Sequence, residues 1–136
     1  MKDKLKDLLD NAYAPYSNYH VACILITNDL KEITGVNVEV ASFGGTICAE
    51  RNAITTAIAK GYHKGDFKEI HIMNKTAETC TPCMICRQSF LEFFDMDMKV
   101  YSYSYNGEEK EYTVKELCPF PFAKEDLKWK VDSYQS

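Results

Sequence analysis

Helical and strand periodicities take turns along this chain. Leu5, Leu8, Leu9, Ala12 and Tyr13 recur at the i, i+3, i+4, i+7 and i+8 spacing of one helix face. Pro15 closes that helix, because it lacks a donor and restricts the residue before it. Residues 19–27 are rich in β-formers and read as a buried strand. A turn at Asn28-Asp29 leads to its hairpin partner over 31–40. Two glycines at 44–45, which would let the chain turn tightly, precede a helix over about 47–60, with Gly61 placed to end it. Residues 67–74 predict a third strand. Residues 81–94 predict a helix with Thr81 as N-cap and Pro82 at its first position. A fourth strand over 98–105 meets the hairpin signal Asn106-Gly107, and a fifth follows over 108–114. Residues 114–130 read as a short helical turn, a Pro/Phe loop and a last helical piece. In the fourth strand, tyrosines alternate with serines, the pattern of a sheet face covered by helices. Strands interleaved with helices predict an α/β sandwich built on one sheet.

Composition narrows the function classes. No repeat, linker or low-complexity tract interrupts the 136 residues, so residues 1–136 read as a single domain. The formal net charge is −4, from 16 basic and 20 acidic side chains. A nucleic-acid binder normally carries a basic surplus, so none is expected as a partner. No apolar run reaches the ~18 residues of a membrane span, and Met1–Leu9 has no signal-peptide core, which reads as cytoplasmic. Six cysteines in that compartment point to metal or thiol chemistry rather than disulfides.

Three of those cysteines form a constellation. With Thr46 and Thr81 as N-caps, Cys48 and Cys83 would each sit in the first turn of a helix, where the dipole favours a thiolate. Cys83 and Cys86 are three residues apart on one helix face and can reach one ion; Cys48 would supply a third ligand if the two helix starts meet. Three protein ligands with one open position make the catalytic kind of zinc site, in which the pKa of water falls from about 16 to about 7. Such chemistry needs a proton carrier. Glu50 heads the apolar stripe Glu50, Ile54, Ala57, Ile58, where burial would raise its pKa toward the range useful for proton transfer. An iron–sulfur reading of Cys80, Cys83 and Cys86 lacks a fourth cysteine, because that position is Phe90. A thioredoxin-like pair would leave Cys48 and Glu50 unexplained. Cys80 reads as a loop residue, Cys23 and Cys118 as core thiols, and His20, His63 and His71 as strand or surface histidines.

Taken together, Cys48-Ala49-Glu50-Arg51 and Pro82-Cys83-Met84-Ile85-Cys86-Arg87-Gln88 resemble the small, homotetrameric class of cytidine deaminases, within the cytidine/deoxycytidylate deaminase family. The likeness extends to "YAPYSNYHV" (13–21), "GVNVEV" (35–40) and "ELCPFPFAKEDL" (116–127). It implies a three-layer α-β-α sandwich with a central mixed five-stranded sheet. It also implies zinc-dependent hydrolytic deamination of cytidine and deoxycytidine to uridine and deoxyuridine with release of ammonia, as in pyrimidine salvage. By the resemblance, Cys48, Cys83 and Cys86 hold one Zn²⁺ per subunit and Glu50 shuttles protons. Ala49 contacts the pyrimidine through its backbone, and Asn37 and Glu39 bind the ribose 3′-hydroxyl. Tyr19 stands where a Phe packs on the base. Phe122 matches an aromatic that neighbouring subunits give to each other's sites in a homotetramer. Arg51 matches a residue that hydrogen-bonds the ligand sulfurs, drawing charge from three thiolates that would otherwise leave the zinc site at −1. Ala22, Val40, Phe43 and Met84 stand where the family usually has Gly, Asn, Tyr and Gly. The "FGG" before Cys48 resembles blasticidin S deaminases, which keeps another cytosine-containing small molecule as the alternative substrate.

Overall fold

A computed structural model describes residues 1–127. Its one sheet runs in the order β2-β1-β3-β4-β5. β1 (Val21–Thr27) and β2 (Glu32–Val36) form an antiparallel hairpin, and β3 (Phe67–Asn74) pairs antiparallel with the other edge of β1. β4 (Lys99–Tyr103) lies parallel to β3, and β5 (Glu109–Thr113) returns antiparallel to β4. Only the β3–β4 step is parallel, and α3 (Met84–Phe93) makes that crossover.

Helices cover both faces, which gives the three layers. One core joins α2 (Ala49–Ala59), α3 and α4 (Val114–Leu117) to the sheet through Ile54, Ile70, Phe90 and Val100. The other is smaller and seats Leu5 and Leu9 of α1 (Lys2–Leu9) on Ala22, Ile24, Met73 and Tyr103. β3 is buried on both faces because each layer packs against it.

Several element ends differ from the sequence expectation. α1 stops at Leu9, before Pro15, and Tyr13 is exposed rather than part of its apolar face. The regular part of β2 ends at Val36; Val38 continues extended, with isolated bridges to Tyr13 and Ile47. Ile58 is exposed, and Ala53 takes its place on the buried stripe of α2. Gly44 and Gly45 form part of an exposed 3-10 turn, Phe43–Gly45, without left-handed φ. Gly61 and Gly107 do adopt left-handed φ, ending α2 and closing the Asn106-Gly107 turn. In β4, Ser102 is buried on the α2/α3 side of the sheet, while Tyr101 and Tyr103 face the α1 side. Residues 124–127 are helical, and the rest of the expected last helical piece lies outside the described residues.

The approach of α2 to the sheet is set by one glycine. A Cβ on Gly35 would lie 2.3 Å from the Ala49 carbonyl oxygen and 2.7 Å from the Ala53 nitrogen. Only a bare backbone at this point of β2 lets the start of α2 come so close.

Candidate metal centre

Both helix starts of interest open at the same end of the sheet. The N-cap of α2 is Cys48 and that of α3 is Cys83, in place of the expected Thr46 and Thr81. Each cysteine has extended backbone, with ψ of 153° and 163°. The chain stays extended through Cys83, so α3 begins only at Met84. The electrostatic consequence expected from the sequence survives this shift, because a cap-position sulfur still faces the positive end of the helix.

The three sulfurs converge. Cys48 Sγ lies 3.7 Å from Cys83 Sγ, which lies 3.5 Å from Cys86 Sγ, and all three fall within 4.8 Å of one another. Tetrahedral zinc bonds of about 2.3 Å place sulfurs about 3.8 Å apart. The donor set, soft thiolates at tetrahedral separation, therefore fits one zinc ion per chain. Cys86 is buried, Cys48 partly buried and Cys83 exposed, so the cluster has a wet side and a dry side.

The surroundings bias these groups strongly. Hydrogen bonding from Cys86, followed by that from Cys83 and Arg51, pulls the Cys48 thiol down to about 5. Cys86 is pushed up by its contact with the Cys48 sulfur and by burial. A dication at the centre deprotonates coordinating thiols outright. Arg51 donates through Nη2 to the Thr46 carbonyl at 3.0 Å and lies 4.0 Å from Cys48 Sγ. Its Nε is buried with no hydrogen-bond partner among the described residues. Glu50 is 4% exposed, and burial followed by the Cys48 charge raises its carboxyl to about 7.

A cavity of about 310 Å³ opens over the cluster. Cys48, Ala49, Glu50 and Cys83 form its floor, while Asn37, Tyr19 and Val21 line it from the β1–β2 side. Ile72 and Asn74 of β3, the latter the cross-strand neighbour of Val21, complete the lining with Thr46 and with Cys80, Thr81 and Pro82 from the loop before α3. Burial, followed by contact with Cys80, raises the Tyr19 phenol, and the Glu50 charge acts in the same direction. Glu39 is buried but does not line the cavity, and neither does Phe122, which is half exposed. Gln88 Nε2 donates to the Phe122 carbonyl at 2.8 Å, holding that residue's backbone on α3.

Residues that the sequence reading passed over hold the walls. The Asn74 amide nitrogen, at the end of β3, donates to Thr76 Oγ1, to the Glu78 carbonyl at 3.0 Å and to Cys80 Sγ at 3.6 Å, and so shapes the loop before Cys83. Arg87 donates to the carbonyls of Pro82 at 2.8 Å and Leu117 at 2.9 Å and to Thr81 Oγ1 at 2.8 Å, tying that loop to α4. A polar residue closing a strand beside a crossover was the available signal for Asn74.

Comparison with known proteins agrees with this geometry. Residues 1–104 match the family model described as the cytidine and deoxycytidylate deaminase zinc-binding region. The chain is 39% identical over 118 residues to the cytidine deaminase of Halalkalibacterium halodurans, covering 87% of this chain and 88% of that one. It is 35% identical over 121 residues to the cytidine deaminase of Mycoplasma genitalium, covering 89% and 92%. The crystal structure of cytidine deaminase from Burkholderia pseudomallei superposes with a TM-score of 0.85 at 38% identity, covering 88% of this chain and 94% of that one.

Proposed function

The chain belongs to the cytidine and deoxycytidylate deaminase family, and from that premise we propose that it is a zinc-dependent cytidine deaminase. It converts cytidine and deoxycytidine, with water, to uridine and deoxyuridine plus ammonia, a step of pyrimidine salvage. The observation that carries this reading is the buried Glu50 beside three sulfurs at tetrahedral spacing, on the floor of a cavity wide enough for a nucleoside.

Cys48, Cys83 and Cys86 hold the zinc ion, which when bound supplies a Lewis acid that activates water. Glu50, poised near 7, gives a proton to N3 of the cytosine ring, regains one from the water-derived hydroxyl at C4 as the carbonyl forms, and delivers it to the departing amino group. Ala49, fully buried in the floor, keeps its backbone available to the pyrimidine. Tyr19 lies against the base, and Asn37 and Glu39 serve the sugar. Arg51 withdraws charge from the sulfurs through its guanidinium.

The 136 residues act as one domain. A belt of exposed apolar side chains supports assembly into a homotetramer: Tyr13, Tyr16, Phe43 and Ile47 near the cavity, Met84 and Ile85 on α3. There Phe122, which stands outside its own chain's cavity, reaches a neighbour's. The reduced thiols of the metal site suit the cytoplasm. No helix among the described residues is long and apolar enough to cross a membrane.

The test is turnover of cytidine by zinc-loaded protein, with blasticidin S as comparator and Glu50→Ala as control. Faster deamination of cytidine, lost in Glu50→Ala, is the expected result. Faster deamination of blasticidin S assigns the alternative substrate, and activity retained in Glu50→Ala removes the proposed mechanism.

A further inference from the structure

Residues 13–19 cross the end of β2 as a strap. The Tyr13 N–H donates to the Asn37 carbonyl, and the Glu39 N–H donates to the Tyr13 carbonyl, both at 2.9 Å. The strap then turns through Asn18, whose φ of 58° is left-handed. Two buried side chains fix the rest. Asn37 Oδ1 accepts from the Val21 N–H at 3.0 Å, and its Nδ2 donates to the Tyr19 carbonyl at 2.7 Å. Glu39 Oε1 accepts the N–H groups of Tyr16 and Ser17 at 3.0 and 3.1 Å. Glu39 Oε2 accepts the Ser17 hydroxyl, whose oxygen in turn accepts the Tyr19 N–H at 3.0 Å.

Glu39 is thus committed to the strap. It is 3% exposed and stands behind the cavity wall, while Asn37 lines the cavity. The Ser17 hydroxyl is the leading reason its carboxyl is held below the usual range. A carboxylate accepts and never donates. Oε1 already accepts two N–H groups, so a sugar hydroxyl would bond to Glu39 Oε2, beside Ser17 or in its place.

We propose that Ser17 is a sugar-specificity residue: its hydroxyl occupies Glu39 in the resting protein, and nucleoside binding exchanges it for a sugar hydroxyl. The inference rests on the cytidine deaminase reading above. A sugar with a free hydroxyl replaces one O–H donor with another, so the buried carboxylate stays satisfied. A sugar without 2′- and 3′-hydroxyls offers nothing in return and leaves Ser17 in place. The same exchange frees the Tyr19 N–H, which couples recognition of the sugar to the aromatic beside the base.

The experiment compares kcat/KM for cytidine and for 2′,3′-dideoxycytidine in the wild-type, Ser17→Ala and Ser17→Thr proteins. Without its competitor, Glu39 should take the sugar hydroxyl more readily. The cytidine/dideoxycytidine ratio should rise about threefold to tenfold in Ser17→Ala, the size of one net hydrogen bond. The rise should come from a lower KM for cytidine. Ser17→Thr, which keeps the hydroxyl, should retain the wild-type ratio. If the alanine variant does not fold, Ser17→Cys replaces it, since a thiol is a weak donor, and the ratio should again rise. An unchanged or lower ratio, or an equal loss on both nucleosides, overturns the role of Ser17 while leaving the deaminase reading intact. A zinc-loaded wild-type protein that deaminates neither nucleoside overturns the deaminase reading, and this inference with it.

Discussion

In the proposed function, the Glu50 carboxyl, 4% exposed and close to the ligand cysteines, carries the chemistry. Glu50→Gln keeps the volume and removes the titratable proton. It should lower kcat by a factor of about 100 to 10,000 and leave zinc content unchanged, as read by metal analysis beside a cytidine assay. Arg51→Ala removes the guanidinium near Cys48 Sγ and the bond to the Thr46 carbonyl. Its expected result is an intact fold with slower turnover or faster zinc loss to a chelator, and wild-type rate and zinc content would remove that role. At this scale the sequence was most informative where ligands and acid are neighbours in the chain. Cys48 and Glu50 are two residues apart, and Cys83 and Cys86 share a helix turn. Ser17 was invisible because its importance lies in contacts that exist only once the loops close, and Asn74 showed only as a polar residue at a strand end.

Helix starts, and the glycine that seats one of them, decide whether those residues meet. Gly35→Ala drives a methyl group into the Ala49 carbonyl and the Ala53 nitrogen. The start of α2 must then retreat from β2, at a cost of about 1–3 kcal/mol or more. Denaturant unfolding should show that loss, and activity should fall with it because Ala49 and Glu50 move together. The number and order of the elements could be read from periodicity, since every strand and long helix expected is present. Their ends could not. Thr46 and Thr81 have the chemistry of N-caps, yet the chain stays extended past both so that Cys48 and Cys83 become the caps. Local capping preference is worth about 1 kcal/mol, less than the tertiary arrangement that brings the sulfurs together. β2 likewise stops at Val36 because the strap from residues 13–19 takes over the pairing beyond it.

At the scale of the whole molecule, one buried histidine on the face opposite the metal centre contributes to the response to pH. His71 is 7% exposed, stacks on Tyr101 with centroids 4.7 Å apart, and bonds to Tyr103 Oη and Glu69 Oε2, each at 2.7 Å. Burial holds its pKa below the ordinary value even though Glu69 acts the other way. The unfolded chain then binds the proton more readily than the folded one. The contribution of His71 to stability is complete above about pH 6.5 and declines as pH falls below it toward the depressed folded value. Urea unfolding should show that decline in the wild-type protein and a shallower one in His71→Gln; identical slopes would contradict it. The α/β sandwich on one sheet followed from the alternation of strands and helices and its three layers from the family resemblance, whereas the burial of His71 did not, because one histidine in a strand carries no sign of its partners. The measurement that bears most directly on the protein as a whole is ammonia release from cytidine while zinc is titrated into chelator-stripped protein. Turnover should rise in proportion to zinc and level off at one equivalent per chain. Full zinc occupancy without ammonia release, or full activity without zinc, would contradict the assignment.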